Sequence, residues 1–249
     1  MEFVRLILAH LIGDFVLQSK SWVNEKEKLG FRSSKIYFHG FIHGVLVLLV
    51  LWNLSYWALA LVIAIIHVVI DLMKQHFQKE NSKSRWFLID QSLHLVSIFM
   101  LWLLFFSPNL SLTSFFENNL FWVYLTAILF LTVACGIAIQ LMLENWTSYI
   151  NFSKAESLPN AGKYIGILER LLVFTFVVSG HWEAIGFLVA AKSVFRFGDL
   201  KDSGNRKLTE YILIGTLFSF GIAIVTGMAI PKLNKVPIRI YSELCLVLV

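Results

Sequence analysis

Segments of about 20 residues carrying few charges recur along this chain, at about 36–53, 57–78, 86–106, 120–143 and 208–230. A bilayer's hydrocarbon takes roughly 20 helical residues to cross. Within lipid every backbone N–H and C=O must be satisfied inside the segment or by a closed barrel, so segments of this length and composition are helices. Composition agrees: 57% of residues are hydrophobic and 15% charged, with a mean hydropathy of +0.72, too apolar for a water-soluble domain of 249 residues. Shorter or more charged helices are expected at 3–18, 161–180 and 182–198. The fold class is therefore all-α, a polytopic transmembrane bundle of about eight helices, the first one short.

Basic residues collect between the apolar segments. Residues 19–35 read as a loop holding Lys20, Lys26, Lys28, Arg32 and Lys35; Lys79, Lys83 and Arg85 mark another; Lys201, Arg206 and Lys207 a third. The positive-inside rule places these on the cytoplasmic side and the turns near 53–56 and 107–119 outside. The net charge of +5 thus belongs to membrane topology and not to nucleic-acid binding. An even number of crossings puts the tail outside, whereas its Lys232, Lys235 and Arg239 favour the inside. Four regions follow: a polar half (1–106), a scaffold helix with its loop (107–160), a charged three-helix half (161–230) and a tail (231–249). Cys135 and Cys245 lie in apolar runs and make no disulfide framework.

The polar half repeats one pattern four times: His10/Asp14, His39/His43, His67/Asp71 and Asp90/His94. Residues four apart share a helix face, so each pair projects toward one point. The pairs come alternately late and early in their helices, and with the basic loops on one side all four fall at one depth, about 5–15 Å inside the boundary at 1.5 Å per residue. Gly40 and Gly44 beside the second pair permit close helix approach.

Ionisable groups inside a membrane are expensive and mark function by default. Imidazole and carboxylate are ligands for zinc, and also for iron or manganese. His10, Asp14, His39, His43, His67, Asp71 and His94 are the candidate ligands of a divalent metal, with Asp90 and Asp14 as the catalytic acid–base carboxylates. Eight groups exceed one tetrahedral ion, so either two metals share the site or some carboxylates orient ligating histidines. Gln18 and Gln91 support the cluster. The reaction expected is metal-dependent hydrolysis. The competing readings are a proton- or ion-coupled transporter using the groups as a relay, and a non-catalytic assembly or stress protein whose His–Asp bonds only fasten helices. His76 and His181 read as interfacial or loop residues, and Asp71 is within reach of Lys74 one turn on.

In the charged half, Lys192 and Arg196 share a face by the same spacing. With Arg170 they would bind the anionic head of a membrane lipid-like substrate. Alternatively Glu169, Arg170, Lys192, Arg196 and Glu210 neutralise one another.

The runs His10-Leu-Ile-Gly13-Asp14-Phe15-Val-Leu-Gln18, His39-Gly40-Phe-Ile-His43-Gly44, His67-Val-Val-Ile-Asp71 and Ile89-Asp90-Gln91-Ser-Leu-His94 resemble a bacterial family named for domain of unknown function 3307. Ile165-Gly166-Ile-Leu-Glu169-Arg170, Ala190-Ala191-Lys192-Ser-Val-Phe-Arg196-Phe-Gly198 and Glu210-Tyr-Ile-Leu-Ile-Gly215-Thr216 look like that family's longer members. The resemblance implies a multi-pass protein of the bacterial inner (cytoplasmic) membrane and brings no activity with it.

Overall fold

The apolar segments are helical in the computed structural model, which describes residues 1–79, 82–107, 120–147, 160–195 and 206–230. Helices occupy the expected positions: α1 (Glu2–Leu11), α3 (Ser34–Leu51), α4 (Trp57–Phe77), α5 (Lys83–Phe106), α6 (Leu120–Leu129) running through a π turn (Phe130–Ala134) into α7 (Cys135–Thr147), α8 (Ala161–Ser179), α9 (Trp182–Phe195) and α10 (Arg206–Met228). Among the described residues five helical stretches are long and apolar enough to cross a membrane, namely Ser34–Leu51, Leu54–Phe77, Lys83–Phe106, Leu120–Glu144 and Lys207–Met228.

One expectation is overturned. The basic stretch 19–35 is not a loop: Lys20–Leu29 forms helix α2, followed by a 3-10 turn at Gly30–Arg32. Its boundaries have local causes. Ser19, in extended conformation, caps the start, its Oγ accepting from the Trp22 amide at 3.4 Å. Gly30 ends the helix at φ 52°, ψ −130°, a conformation only glycine adopts cheaply. Ser33 then starts α3, accepting from the Lys35 amide at 3.3 Å and donating to Glu25 of α2 at 3.1 Å.

The chain divides into two compact units, Met1–Glu144 and Asn145–Val249. In the first, helices α1, α3, α4 and α5 pack around Leu6, Ala9, Leu46, Val47, Leu59, Ala60, Ile63, Ile98 and Trp102. Large apolar side chains such as Phe41, Leu49, Leu61, Ile65 and Leu104 face outward, while the buried polar residues described in this unit are histidines, aspartates, Lys26 and Ser33. Polar inside and apolar outside is the arrangement a lipid environment selects, since charges in membrane helices turn toward the bundle interior.

Helices α3 and α4 meet where α3 has no side chain. A Cβ on Gly40 would collide with Val68 and lie 3.0 Å from the Ala64 carbonyl oxygen, and one on Gly44 would lie 3.3 Å from that of Ala60. These contacts hold the two histidine-bearing helices at backbone distance. Gly40→Ala is expected to cost about 1–3 kcal/mol, the usual penalty of overpacking, read as a lowered midpoint of thermal unfolding in detergent.

In the second unit α8 packs against α10 and α9. A Cβ on Gly227 of α10 would come within 2.8 Å of Val177. Residues 231–249, and with them the side of the tail, lie outside the described residues.

Candidate metal centre

Helix α1 widens into a π turn over Ile12–Leu17, beginning two residues after His10. The extra residue in that turn re-aims the side chains within it, a device common at functional sites. The side chain so aimed is Asp14. Gly13 makes room for the result, since a Cβ there would occupy the His43 ring position.

Asp14 is the hub. Its Oδ1 accepts from Nε2 of His39 at 3.0 Å and of His43 at 3.0 Å, with His67 Nε2 3.4 Å away. Its Oδ2 accepts from Gln91 Nε2 at 2.9 Å and lies 3.7 Å from His10 Nε2. The rings pile together: His43 stacks on His67 with centroids 3.6 Å apart, and His67 on His94 at 4.0 Å. His10, His39, His43, His67 and His94 are each at most 3% exposed. The four polar pairs, which run from position 10 to position 94, thus form one cluster beside the aliphatic core.

The other two aspartates are tied to lysines. Lys26 of α2, 2% exposed, donates to Asp71 Oδ2 at 2.6 Å. Lys74 donates to Asp90 Oδ2 at 2.9 Å, so it does not hold Asp71 as its spacing suggested. Gln91 links the two halves, donating to Asp90 at 3.3 Å as well as to Asp14, and accepting from His10 Nε2 at 3.2 Å. Helix α2 is further held by Glu27, which bonds Lys83 at 3.1 Å and Gln78 at 3.3 Å. Sequence reasoning missed Lys26 as a buried partner. The signal was present in the Ser19 cap and Gly30 stop, which bracket a ten-residue helix.

The side chain of Gln18, at the extended end of the π turn, makes no hydrogen bond among the described residues. His76 and His181 are exposed. In the second unit Lys192 pairs with Glu169 at 2.7 Å and buried Arg170 donates to Ser219 at 3.2 Å. The Lys192–Glu169 pair is one part of the mutual neutralisation that the sequence offered as the alternative to an anion pocket. Glu210 is exposed near the start of α10, and Arg196 lies outside the described residues.

Residues 3–123 match the model of a family described as protein of unknown function DUF3307. This segment belongs to that family. No curated protein and no solved structure matches the chain. The DUF3307 segment contains all eight His/Asp groups together with Gln91, Lys26 and Lys74, whereas the Glu169–Lys192 pair falls beyond it.

The donor set fits a metal ion. Ligands about 2.0–2.2 Å from a tetrahedral zinc lie roughly 3.4 Å from one another. The imidazole nitrogens stand 3.0, 3.0, 3.4 and 3.7 Å from Asp14 oxygens. His67 Nε2, His94 Nε2 and Asp90 Oδ1 are buried without hydrogen-bond partners, a costly state for donors and acceptors that a ligand would relieve. A cavity of about 10 Å³, the room one water takes, is lined by His10, His43, His67 and His94 together with Leu6, Val47, Ile63 and Ile98.

Proposed function

We propose that the chain is a multi-pass membrane protein of about eight helices, its first unit holding one divalent metal ion at Asp14 and surrounding histidines, and that it is a hydrolase of a lipid-like anionic substrate. The observation that carries this is the set of imidazole nitrogens 3.0–3.7 Å from the carboxylate of Asp14. Zinc suits this nitrogen-rich set best, with iron or manganese as alternatives.

Charge favours one ion over two. Lys26 and Lys74 already offset Asp71 and Asp90, which leaves Asp14 as the carboxylate available to a metal. A metal in such a site supplies a water acidic enough to give hydroxide near neutral pH. Gln91 orients Asp14 through its 2.9 Å hydrogen bond, the kind of outer support that fixes ligand geometry. Asp90 keeps Oδ1 free beside His94 Nε2 at 3.5 Å and is the group placed to take up the proton. Lys74, with 23% of its side chain exposed, is the cation offered to a substrate anion. An amphiphilic substrate follows from a site within apolar helices. Lys192, Arg196 and Arg170 remain candidates for anion binding in the second unit.

The relay reading draws on the chain of hydrogen bonds from Lys74 through Asp90 and Gln91 to Asp14. Against a through-path, the cluster is backed by the aliphatic core. The deciding measurement is elemental analysis of tag-free protein in detergent beside the His39→Ala/His43→Ala double variant. About one equivalent of zinc, iron or manganese, lost in a variant that keeps its helical content, is expected. A wild-type protein that carries no metal and takes none when offered it overturns the hydrolase and turns attention to proton flux.

A further inference from the structure

Asp71, Asp90 and His94 bring two carboxylate oxygens and one imidazole nitrogen within 4.8 Å of one another, and a further group, His39, His67 and Asp71, joins this trio to the atoms around Asp14. All three residues are buried, at 7%, 2% and 2% exposure. Asp90 Oδ1 and His94 Nε2 have no hydrogen-bond partner. Two carboxylates this close inside a bundle repel and cannot remain ionised without positive charge beside them. The chain supplies it as two ammonium groups from different helices, Lys26 Nζ at 2.6 Å from Asp71 Oδ2 and Lys74 Nζ at 2.9 Å from Asp90 Oδ2. Together they carry the charge of one divalent ion.

We infer that Asp71, Asp90 and His94 form a second cation position, which the chain fills with Lys26 and Lys74 in place of a second metal ion. The lysines are therefore what makes the centre mononuclear. Removing them exposes two carboxylate oxygens and an imidazole, a donor set suited to zinc or manganese. Lys74 is the replaceable half, being partly exposed, whereas Lys26 is buried. The inference rests on the reading given under Proposed function only for the first metal equivalent.

The test is metal stoichiometry. Tag-free protein in detergent, stripped with a chelator, is titrated with zinc and separately with manganese, and bound metal is counted after dialysis. Wild type should take one equivalent; Lys74→Gln and Lys26→Ala/Lys74→Ala should take two, and metal should raise the melting temperature of the double variant more than that of wild type. Adding Asp71→Asn and Asp90→Asn to the double variant should return the count to one. If the double variant does not fold, Lys74→Gln decides alone. Variants that stay at one equivalent, or a wild type that takes two, overturn the inference and leave the Asp14 site standing. A wild type that takes none while the lysine variants take one supports the second position and overturns the Asp14 site.

Discussion

Lys26→Ala, measured in the presence of a chelator, is expected to destabilise the first unit by about 3–5 kcal/mol, the usual result of removing one partner from a buried ion pair. The lysine is 2% exposed and its partner Asp71 7%, so no solvent is at hand to screen the abandoned carboxylate. The loss should appear as a lower unfolding midpoint in detergent, with α2 becoming susceptible to proteolysis. Adding Asp71→Asn to Lys26→Ala should recover most of the loss, because the penalty belongs to the stranded charge. Recovery by less than half would mean that Lys26 acts through packing of its stem and not through its ammonium group. A surface pair such as Lys83–Glu27, with both side chains about a third exposed, gives the contrast: its disruption should cost no more than about 1 kcal/mol.

Asp14→Asn should lower metal affinity on the order of 100-fold or more, since even outer-sphere partners of a ligand contribute 10–100-fold. The change is nearly isosteric. An asparagine carbonyl can still accept from His39 and His43, so the helices should keep their arrangement while the negative charge is lost. Affinity is read by competition against a chelating dye, and the fold by helical content and melting temperature without metal. The fold should hold while the affinity collapses. An unchanged affinity would move the metal away from Asp14, toward one of the other aspartates.

The two predictions differ in how visible their residues were. Asp14 stood out because an aspartate four residues after a histidine in an apolar helix has few bland explanations. Its convergence with the other pairs was also legible, because i,i+4 spacing and the alternation of late and early positions follow from helix geometry alone. Lys26 was hidden by a rule that works on averages. Basic residues between apolar segments mark the cytoplasmic side, and that rule treats each as solvated. Lys26 instead turns inward from a helix that its own caps had announced.

Sequence by itself determined that the chain is helical, that several of its stretches are apolar enough to cross a membrane, and which eight side chains gather in the first half. Those follow from local quantities: the length of apolar runs, the absence of charge within them and a period of four. Tertiary structure alone decided how the charges are shared. Asp71 and Asp90 differ from Asp14 in partner and not in spacing, and their partners come from other helices, Lys26 of α2 for Asp71 and Lys74 of α4 for Asp90. Likewise no local signal foretold the π turn that carries Asp14 to His39 and His43. Which ammonium reaches which carboxylate depends on how helices are packed, held here by Gly40 and Gly44 against α4 and by Gly13 against the His43 ring. At contact distance in a low dielectric the energy of an ion pair is large and changes steeply with separation, so shifts of a few ångströms between helices decide which pair forms.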